Sequence, residues 1–532
     1  MNEYLPIKLF DYQTNHFDRI LNIFSKQYIC IDGSQPGAGK TWTSTKLGQV
    51  LNLKICTFCP KTIISNWENV LTTTKTSYWT YEKNKPLILT YETLRGKKGY
   101  DLKHGLLRRI DIPEKQPIFE ITPKLKEMMD QGTLFIFDEC QKLKNNNDIS
   151  RAIRSIFRYL SISNSKSKII MLSGSIANTS KHIINLLRAM QIITHRNLYT
   201  YLRGEYELHG INELFEFGRE LNPELSNRIE SELIYPLTTD SAEKFVTKYW
   251  NEVISKEIYS FMPIDPSLKI NAKQYLFNVF YLMEDEQYEK YEKSVKNYSK
   301  ALNFDENIGM IVGQINLSTF APLLTSIQLS KISIYIDITK FYLTSLFKDK
   351  KDNILRPKII LYCDYEIIWN SLYELLSDFN PLLMTGKTTL NERKKIVNSF
   401  REINNEYRLL ITNMEVGGLG VNLHDESGLE PVISLMMPAY KANSIHQAIG
   451  RSYRTGTNGV ALSFIIYGKK IIDIDKPVNT ILEYRIFKSL NNKGKFLKEC
   501  HKDDNAIFPG EYPNITLFKD NYFIPDEWIL YN

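Results

Sequence analysis

Short apolar runs bounded by polar turns recur in the first part of the chain, and segments with helical spacing of apolar residues separate them. The runs are continuous rather than alternating, as expected of parallel strands that are covered on both faces. The predicted strands are 27–31, 54–59, 87–90, 134–137 and 168–172, with helices between them such as 41–51 and 149–160. This pattern predicts an α/β unit over residues 1–195.

The pattern changes after residue 196, where Tyr, Glu, Lys and Leu recur with helical spacing, as in Met283–Tyr298. We therefore predict a helical insertion or bridge over 196–350, followed by a second α/β unit over 351–490. The predicted strands of the second unit are 358–362, 382–384, 408–412, 432–436 and 460–467. The tail 491–532 mixes aromatic residues with Pro and Gly, and we expect it to pack on the second unit rather than to stack on bases.

Composition fits a multidomain globular protein, because 24% of the 532 residues are charged and 43% are apolar. The surplus of basic residues gives a net charge of +7, which permits a polyanionic partner without implying one. We expect no secretory signal and no membrane span, hence an intracellular, soluble protein, cytoplasmic rather than nuclear. The pair Cys56 and Cys59 lies in a predicted strand, where buried core cysteines are favoured over a zinc site.

A glycine-rich loop, 34–41, follows the first predicted strand and precedes a helix. Gly37 and Gly39 allow backbone N–H groups to turn around phosphate oxygens, and Lys40 supplies charge for the β- and γ-phosphates. The Thr41 hydroxyl can ligate Mg²⁺. Ser34 stands where the strict pattern has glycine, and the alternative is a plain glycine-rich turn at a helix start.

Two carboxylates, Asp138 and Glu139, follow the apolar run 134–137. An apolar strand that ends in carboxylates places them at the carboxyl edge of a parallel sheet, where ligands bind. We expect Asp138 to hold Mg²⁺ through water and Glu139 to polarise the water that attacks the γ-phosphate. Acidic residues after a strand are common, so this assignment depends on the phosphate loop in the same unit.

Three long polar side chains, Gln447, Arg451 and Arg454, recur at a spacing that predicts one face of a helix, with Gly456 placed to end it. A solvated helix face is the plain alternative. Two guanidinium groups close together also suit the clamping of a phosphoryl group and can act as arginine fingers.

Taken in order, these segments and several others resemble the superfamily 2 helicases and translocases, with the SWI/SNF-like branch and its poxvirus-type viral nucleoside triphosphatases most similar. The resemblance covers about residues 9–495. The matching segments are Phe10–Gln13, Cys59–Trp67, Leu89–Leu94, Asp138–Asn145, Leu172–Ser175, Thr412–Leu423 and Gln447–Gly456.

The resemblance implies two RecA-like lobes in tandem that use MgATP and bind nucleic acid through its phosphates, without sequence specificity and with DNA favoured over RNA. The roles that it implies are nucleotide binding for Gln13, Gly37, Gly39, Lys40, Thr41 and Gly420; metal binding for Thr41 and Asp138; catalysis for Glu139, Gln447, Arg451 and Arg454; coupling for Gln141, Ser173 and Ser175; and nucleic-acid binding for Lys61, Thr90, Arg95 and Asn422.

Departures from the family pattern point away from a standard chromatin remodeller and towards a viral, phage or plasmid-borne relative. They include Gln141 where the similar branch has His, and Met436–Pro438 in place of a Trp-Asn-Pro segment. We expect an ATP-driven translocase or helicase acting in transcription or replication, with proteins of those processes as further partners. The alternatives are an RNA helicase, an assembly subunit with a vestigial ATPase, and a phosphate-loop enzyme of another class.

Overall fold

The computed structural model divides the chain into two compact units. Of the described residues, the first unit contains 5–263 and 496–501, and the second contains 272–495 and 507–531. The structure describes residues 5–80, 85–96, 105–145, 147–163, 165–174, 176–177, 179–263, 272–312, 319–417, 421–438, 442–454, 456–501 and 507–531.

In the first unit the described residues form a six-stranded parallel sheet. The strands of this unit are β1 (Ile29–Asp32), β2 (Lys54–Cys59), β3 (Ile88–Thr90), β4 (Leu107–Ile110), β5 (Ile118–Ile121), β6 (Thr133–Asp138), β7 (Lys168–Leu172), β8 (Thr200–Leu202), β9 (Glu205–Glu207) and β10 (Tyr259–Ser260). The order in the sheet is β10-β1-β7-β6-β2-β3, and β4–β5 and β8–β9 form separate antiparallel pairs.

Both faces of this sheet are covered, which explains the continuous apolar runs. Phe135 and Phe137 of β6 pack in one hydrophobic cluster, whereas Leu134 and Ile136 pack in another. The helices of the unit are α1 (Asp11–Lys26), α2 (Lys40–Val50), α3 (Ile64–Thr73), α4 (Tyr91–Arg95), α5 (Pro123–Asp130), α6 (Asp148–Ile162), α7 (Ser180–Ala189), α8 (His209–Leu221), α9 (Pro223–Glu230), α10 (Thr239–Tyr249) and α11 (Ser255–Ile258).

The described part of the second unit contains a seven-stranded sheet, again with parallel pairs throughout. The strands of this unit are β11 (Lys273–Met283), β12 (Phe304–Asp305), β13 (Met310–Ile311), β14 (Leu346–Asp349), β15 (Ile354–Leu355), β16 (Lys358–Tyr362), β17 (Leu382–Met384), β18 (Leu409–Thr412), β19 (Val432–Met436), β20 (Val460–Lys470), β21 (Asn514–Leu517) and β22 (Trp528–Tyr531). The sheet order is β17-β18-β16-β19-β20-β11-β21.

Apolar side chains again alternate between two clusters, with Ile359 and Leu361 on one face and Ile360 and Tyr362 on the other. The helices of this unit are α12 (Asp285–Ala301), α13 (Phe320–Ser330), α14 (Ile332–Thr344), α15 (Glu366–Leu375), α16 (Leu390–Arg401), α17 (Met414–Gly417), α18 (Ala442–Ser452) and the first part of α19 (Leu482–His501). The predicted fold, two parallel-sheet α/β units in tandem with helical segments between the sheets, is confirmed.

The segment 196–350 is divided between the two units rather than standing apart from them. It supplies α8–α11 to the first unit and α12–α14 to the second. It also contains β11, which the sequence did not predict: Met283 ends this strand, and the helix begins only at Asp285. The prediction of a helix from Met283 was therefore wrong at its start, because β11 pairs along its whole length with β20.

Of the described tail residues, 491–495 and 507–531 join the second unit, as the aromatic residues led us to expect, whereas 496–501 belong to the first. β21 pairs with β11, and β22 pairs with β14. Cys56 and Cys59 are buried free thiols of the core. Within the described ranges, no helix combines the length and the apolar character that a bilayer crossing requires.

Candidate functional site

The phosphate loop lies between β1 and α2, as the sequence predicts. Gly37 and Gly39 have φ angles of +87° and +97°, a backbone region in which a side chain is strained. Lys40 begins α2 and donates from Nζ to the carbonyl oxygens of Ser34 at 2.6 Å and Gln35 at 3.1 Å. The first turn of α2 carries no acidic residue, so its N-terminal N–H groups and dipole favour an anion.

The glutamine predicted to read the nucleotide base contacts this loop directly. Gln13 is buried on α1 and donates from Nε2 to the Ala38 carbonyl at 2.9 Å, while the Tyr12 hydroxyl donates to the same oxygen at 3.0 Å. A Cβ on Gly39 would lie 2.3 Å from Gln13 Nε2. The positive φ therefore favours glycine here, and a side chain would in addition displace the end of Gln13 from the loop.

A buried histidine and aspartate, which belong to none of the sequence motifs, lie beneath the other end of the loop. His16, one turn after Gln13, places Nε2 3.2 Å from Asp32 Oδ2, and its Nδ1 lies 2.8 Å from Ser260 Oγ. Asp32 Oδ1 accepts from the Ser34 N–H at 2.9 Å. Burial would raise the pKa of Asp32, but the charge and hydrogen bond of His16 outweigh it, so this pKa lies below its usual value. The three-residue spacing from Gln13 is the signal that could have identified His16.

Asp138 ends β6 at the same sheet edge as the loop, because Asp138 and Asp32 both pair in register with Leu172 of β7. Its Oδ1 accepts from the Glu139 N–H and its Oδ2 accepts from Trp67 Nε1, both at 2.9 Å. Burial, and then the negative charge of Glu139, raise the pKa of Asp138 to about 7. A buried carboxylate of this kind gains from a nearby cation.

A chain of side-chain hydrogen bonds runs from Glu139 along this edge. Gln141 donates from Nε2 to Glu139 Oε2 at 2.5 Å, and the Ser173 hydroxyl donates to Gln141 Oε1 at 2.6 Å. Glu139 has a φ of +57°, so the chain turns sharply after β6 and the side chain comes within reach of Gln141. Ser175, the other residue predicted to couple, lies outside the described residues.

The atoms at this edge that could bind a metal ion are oxygen atoms of carboxylates and hydroxyls, which are the ligands that Mg²⁺ prefers. In the described part of the chain, no group of three or more His, Cys, Asp or Glu side chains could hold a metal ion by itself. A nucleotide-bound magnesium ion takes much of its coordination from phosphate and water oxygens, so Asp138 and Thr41 need supply only part of it. The residues present therefore fit Mg²⁺.

The residues predicted to contact nucleic acid in the first unit follow the neighbouring strands β2 and β3. Lys61 is exposed at the start of a short 3₁₀ helix, Lys61–Ile63. Thr90 caps α4, accepting at Oγ1 from the Thr93 N–H at 3.0 Å, and half-buried Arg95 is the last residue of that helix. The capping bond gives Thr90 a structural role in addition to any contact with a ligand.

In the second unit, Gln447 and Arg451 lie one turn apart on α18, but Arg454 does not extend that helix. The prediction of one continuous face was wrong, because α18 ends at Ser452 and the Arg454 N–H bonds the Thr457 hydroxyl instead. Arg454 donates to Asn422 Oδ1, so two predicted site residues contact each other. Gly420 lies outside the described residues.

The electrostatics around Arg454 suit an anion. Burial, then the charges of Arg451 and Arg401, lower the pKa of Arg454 to about 10. Burial and the charge of Arg454 also lower the pKa of His424 to about 4, so this histidine is neutral at pH 7. Arg451 is only 8% exposed. Crowded guanidinium groups gain when a negative group neutralises their mutual repulsion.

Comparison with known proteins finds similarity to helicases. Residues 342–456 match the family model for the helicase conserved C-terminal domain. A protein of Acanthamoeba polyphaga mimivirus, L364, classed by its name as an ATP-dependent RNA helicase, is 24% identical over 490 residues, which are 91% of this chain and 82% of the relative. The chromatin remodeling factor mit1 of Schizosaccharomyces pombe is 23% identical over 495 residues, 87% of this chain and 32% of the relative.

Two solved structures are also similar along most of the chain. The Sulfolobus solfataricus SWI2/SNF2 ATPase core in complex with dsDNA has 14% identity and a TM-score of 0.31, covering 94% of this chain and 98% of that chain. The S. cerevisiae Dbp5 bound to RNA and ADP BeF3 has 11% identity and a TM-score of 0.40, covering 95% and 89%.

Proposed function

The chain is a relative of the SWI/SNF-like helicases of superfamily 2, and on this premise we propose that it is an ATP-driven motor that moves along nucleic acid. One observation supports this most strongly. The lysine loop, the Asp138–Glu139 pair and the Gln141–Ser173 hydrogen-bond chain all lie at one edge of one parallel sheet. This is the set of groups that binding and hydrolysing MgATP requires.

Lys40 and the N–H groups at the start of α2 bind the phosphates, and the α1 glutamine, Gln13, binds the base side of the nucleotide. Bound Mg²⁺ would neutralise phosphate charge, with Asp138 and Thr41 as its protein ligands. Glu139 orients the attacking water and takes up its proton, held in place by Gln141. We assign the charge that stabilises the transferred phosphoryl group to Arg451 and Arg454 of the second unit, with Gln447 beside them.

Arg451 provides a test of this division of roles. Because the charge of Arg451 acts mainly on the phosphoryl group during its transfer, Arg451→Ala should abolish hydrolysis while reducing ATP affinity only modestly. Single-turnover hydrolysis and binding of a fluorescent ATP analogue measure the two effects separately. An equal loss of both would refute the assigned role.

Nucleic acid binds, in this proposal, through Lys61, Thr90, Arg95 and Asn422, which contact phosphates rather than bases. We favour duplex DNA as the track, in the transcription or replication of a viral or plasmid-like genome. The second candidate is RNA, which the name of the mimivirus relative favours.

The deciding experiment is the ATPase rate of the whole chain, titrated with duplex DNA, single-stranded DNA and RNA at one salt concentration. Stimulation by duplex DNA without strand separation supports a translocase, whereas stimulation by RNA or single strands supports a helicase. A rate unchanged by all three would refute the proposal. Glu139→Gln is the catalytic control, and full biological function of that variant would instead support a vestigial ATPase.

A further inference from the structure

Asp138 is held by hydrogen bonds from three different positions in the first unit. Its Oδ1 accepts from the N–H of Glu139, and its Oδ2 accepts from Trp67 Nε1 at 2.9 Å. Its backbone carbonyl accepts from the Tyr91 hydroxyl at 2.8 Å. Trp67 and Tyr91 are both fully buried. The side chain and the backbone of Asp138 are therefore each fixed by an aromatic residue that lies far away in the sequence.

The two aromatic residues lie in the same two segments as the side chains to which we assign nucleic-acid contacts, one in each segment. Trp67 lies on α3, which continues directly from the 3₁₀ helix that begins at Lys61. Tyr91 is the first residue of α4, immediately after Thr90 and on the same short helix as Arg95. Each segment thus has a polar side chain at its surface and a buried aromatic donor that reaches Asp138.

Close packing makes these connections stiff. A buried tryptophan or tyrosine cannot change position without displacing its neighbours, because protein interiors are packed as densely as organic crystals. A shift of α3 or α4 on a bound phosphate backbone must therefore move the donors or stretch their hydrogen bonds to Asp138. The Trp67 bond also reaches the carboxylate itself, and hydrogen bonds to a charged group are among the stronger ones in proteins.

We propose that Trp67 and Tyr91 are positioning residues that couple nucleic-acid binding to the geometry of the metal-site carboxylate Asp138. This inference rests on the proposed function and concerns its regulation. In this proposal, bound nucleic acid stimulates hydrolysis because it fixes the positions of α3 and α4. Through their hydrogen bonds these helices then hold Asp138 in the arrangement that binds MgATP. The route is separate from the Gln141–Ser173 chain, which reaches the neighbouring Glu139.

A purely structural role is the alternative, since any buried indole needs an acceptor. The same unit offers matched controls for it. Trp79 donates from Nε1 to Thr133 Oγ1 at 2.8 Å, at the opposite end of the same strand, β6. The Tyr199 hydroxyl donates to the Leu237 carbonyl at 3.1 Å. These bonds have the same donors but do not reach the candidate site.

The test compares four variants of the full chain: Trp67→Phe, Tyr91→Phe, Trp79→Phe and Tyr199→Phe. The first readout is the ratio of ATPase rates with and without saturating nucleic acid of the type that stimulates wild type best. The second is the gain in affinity for a fluorescent ATP analogue when Mg²⁺ is added, measured without nucleic acid. The melting temperature reports the structural loss in each variant.

We expect Trp67→Phe to lower the stimulation ratio by about tenfold, the effect of losing one hydrogen bond to a carboxylate. Tyr91→Phe loses a bond to a neutral backbone carbonyl and should lower the ratio less, by about fivefold. Trp67→Phe should also reduce the Mg²⁺-dependent gain in affinity, because its bond orients the carboxylate itself. Trp79→Phe and Tyr199→Phe should keep the wild-type values of both readouts, even where their melting temperatures fall. Tyr91→Phe removes a single oxygen atom, so it remains informative if Trp67→Phe does not fold.

Two failures can be told apart. A wild-type protein that is not stimulated by any nucleic acid would refute the proposed function, and the coupling with it. A stimulated wild type, with wild-type ratios in both Trp67→Phe and Tyr91→Phe, would refute the coupling alone and leave the proposed function standing.

Discussion

Glu139 adopts a left-handed backbone conformation, with φ of +57°, immediately after the buried end of β6. Such a conformation costs a residue with a side chain about 1 kcal/mol or more, and it persists only where the surroundings impose it. Here the hydrogen bond from Gln141 and the bond from its own N–H to Asp138 hold it in place. At the scale of single residues, the strained backbone of Glu139 and the buried carboxylate of Asp138 are adjacent, where we place the chemistry.

The raised pKa of Asp138, about 7, predicts a pH-dependent stability. Since the folded carboxyl binds its proton more tightly than the unfolded one, the stability that the neutral form contributes is lost as pH rises through 7. In EDTA, the melting temperature of Asp138→Asn should therefore rise relative to that of wild type between about pH 5 and 7.5, and the difference should stay constant above that range. The same variant should lose the Mg²⁺-dependent gain in nucleotide affinity.

Asp32 provides the control, because its pKa is lowered rather than raised. A lowered carboxyl pKa contributes stability that is present above the ordinary value and is lost only in acid. Asp32→Asn should thus melt lower than wild type by a constant amount from pH 6 to 8.5. Thermal melts in which the two variants show the same pH dependence would contradict both assignments.

Gly39 and Gly204 form a second matched pair, since both have positive φ angles, +97° and +92°. An alanine at either position is strained, by about 1 kcal/mol or more. Only at Gly39 would the new Cβ also meet Gln13 Nε2, whereas nothing lies within 4 Å at Gly204. We expect Gly39→Ala to weaken ATP-analogue binding by at least about tenfold and Gly204→Ala to leave it unchanged.

Helix α1 secures the phosphate loop at both of its ends. Gln13 binds the Ala38 carbonyl, and His16, one turn later on α1, binds Asp32 just before the loop. In the proposed function, these contacts link the α1 residue that we assign to the nucleotide base with both ends of the loop. The arrangement explains why a short N-terminal segment matters to a site built on β1, β6 and β7.

This view of α1 predicts a large effect for His16→Leu. The variant leaves Asp32 Oδ2, which is fully buried, without the imidazole nitrogen that lies 3.2 Å away, and we expect this to cost about 1–3 kcal/mol. Lys244→Ala, which breaks an exposed pair with Asp240, should change stability by less than about 1 kcal/mol. Urea unfolding of the two variants measures the difference, and equal losses would exclude a special role for His16.

The sequence allowed ten of the thirteen strands that the described residues form in the two parallel sheets to be predicted within about three residues, because runs covered on both faces contain apolar residues without interruption. β11 was not predicted because its Tyr, Phe and Leu residues resemble those of the helices around it. Its partner β20 also lies far away in the sequence. The phosphate loop and the carboxylate pair are local motifs. The contacts of Trp67 and Tyr91 with Asp138 join residues 71 and 47 positions apart, which no local pattern encodes.

At the scale of the whole molecule, a net charge of +7 is modest for the nucleic-acid motor that we propose. The affinity must then come from a few well-placed cations rather than from the overall field. Residues such as Lys61 and Arg95 lie at one edge of the first sheet, after β2 and β3. Binding of this kind depends on phosphate contacts and releases counterions.

We therefore expect the logarithm of the nucleic-acid binding constant to fall linearly with the logarithm of salt concentration, equally for unrelated sequences. Lys61→Ala and Arg95→Ala should each reduce the slope by about 1, as loss of one phosphate contact does. Lys244→Ala removes an exposed charge elsewhere in the unit and should leave the slope unchanged. Fluorescence anisotropy at four or five salt concentrations gives these slopes.

The position of β21 and β22 has a consequence for how the chain is made. Both strands come from the last part of the sequence, yet they pair with β11 and β14, which leave the ribosome more than a hundred residues earlier. Until residues 514–531 have emerged, one edge of β11 has no partner. A translating ribosome therefore carries an unfinished second unit with an open strand edge, and a message truncated before this point would release a product prone to aggregate.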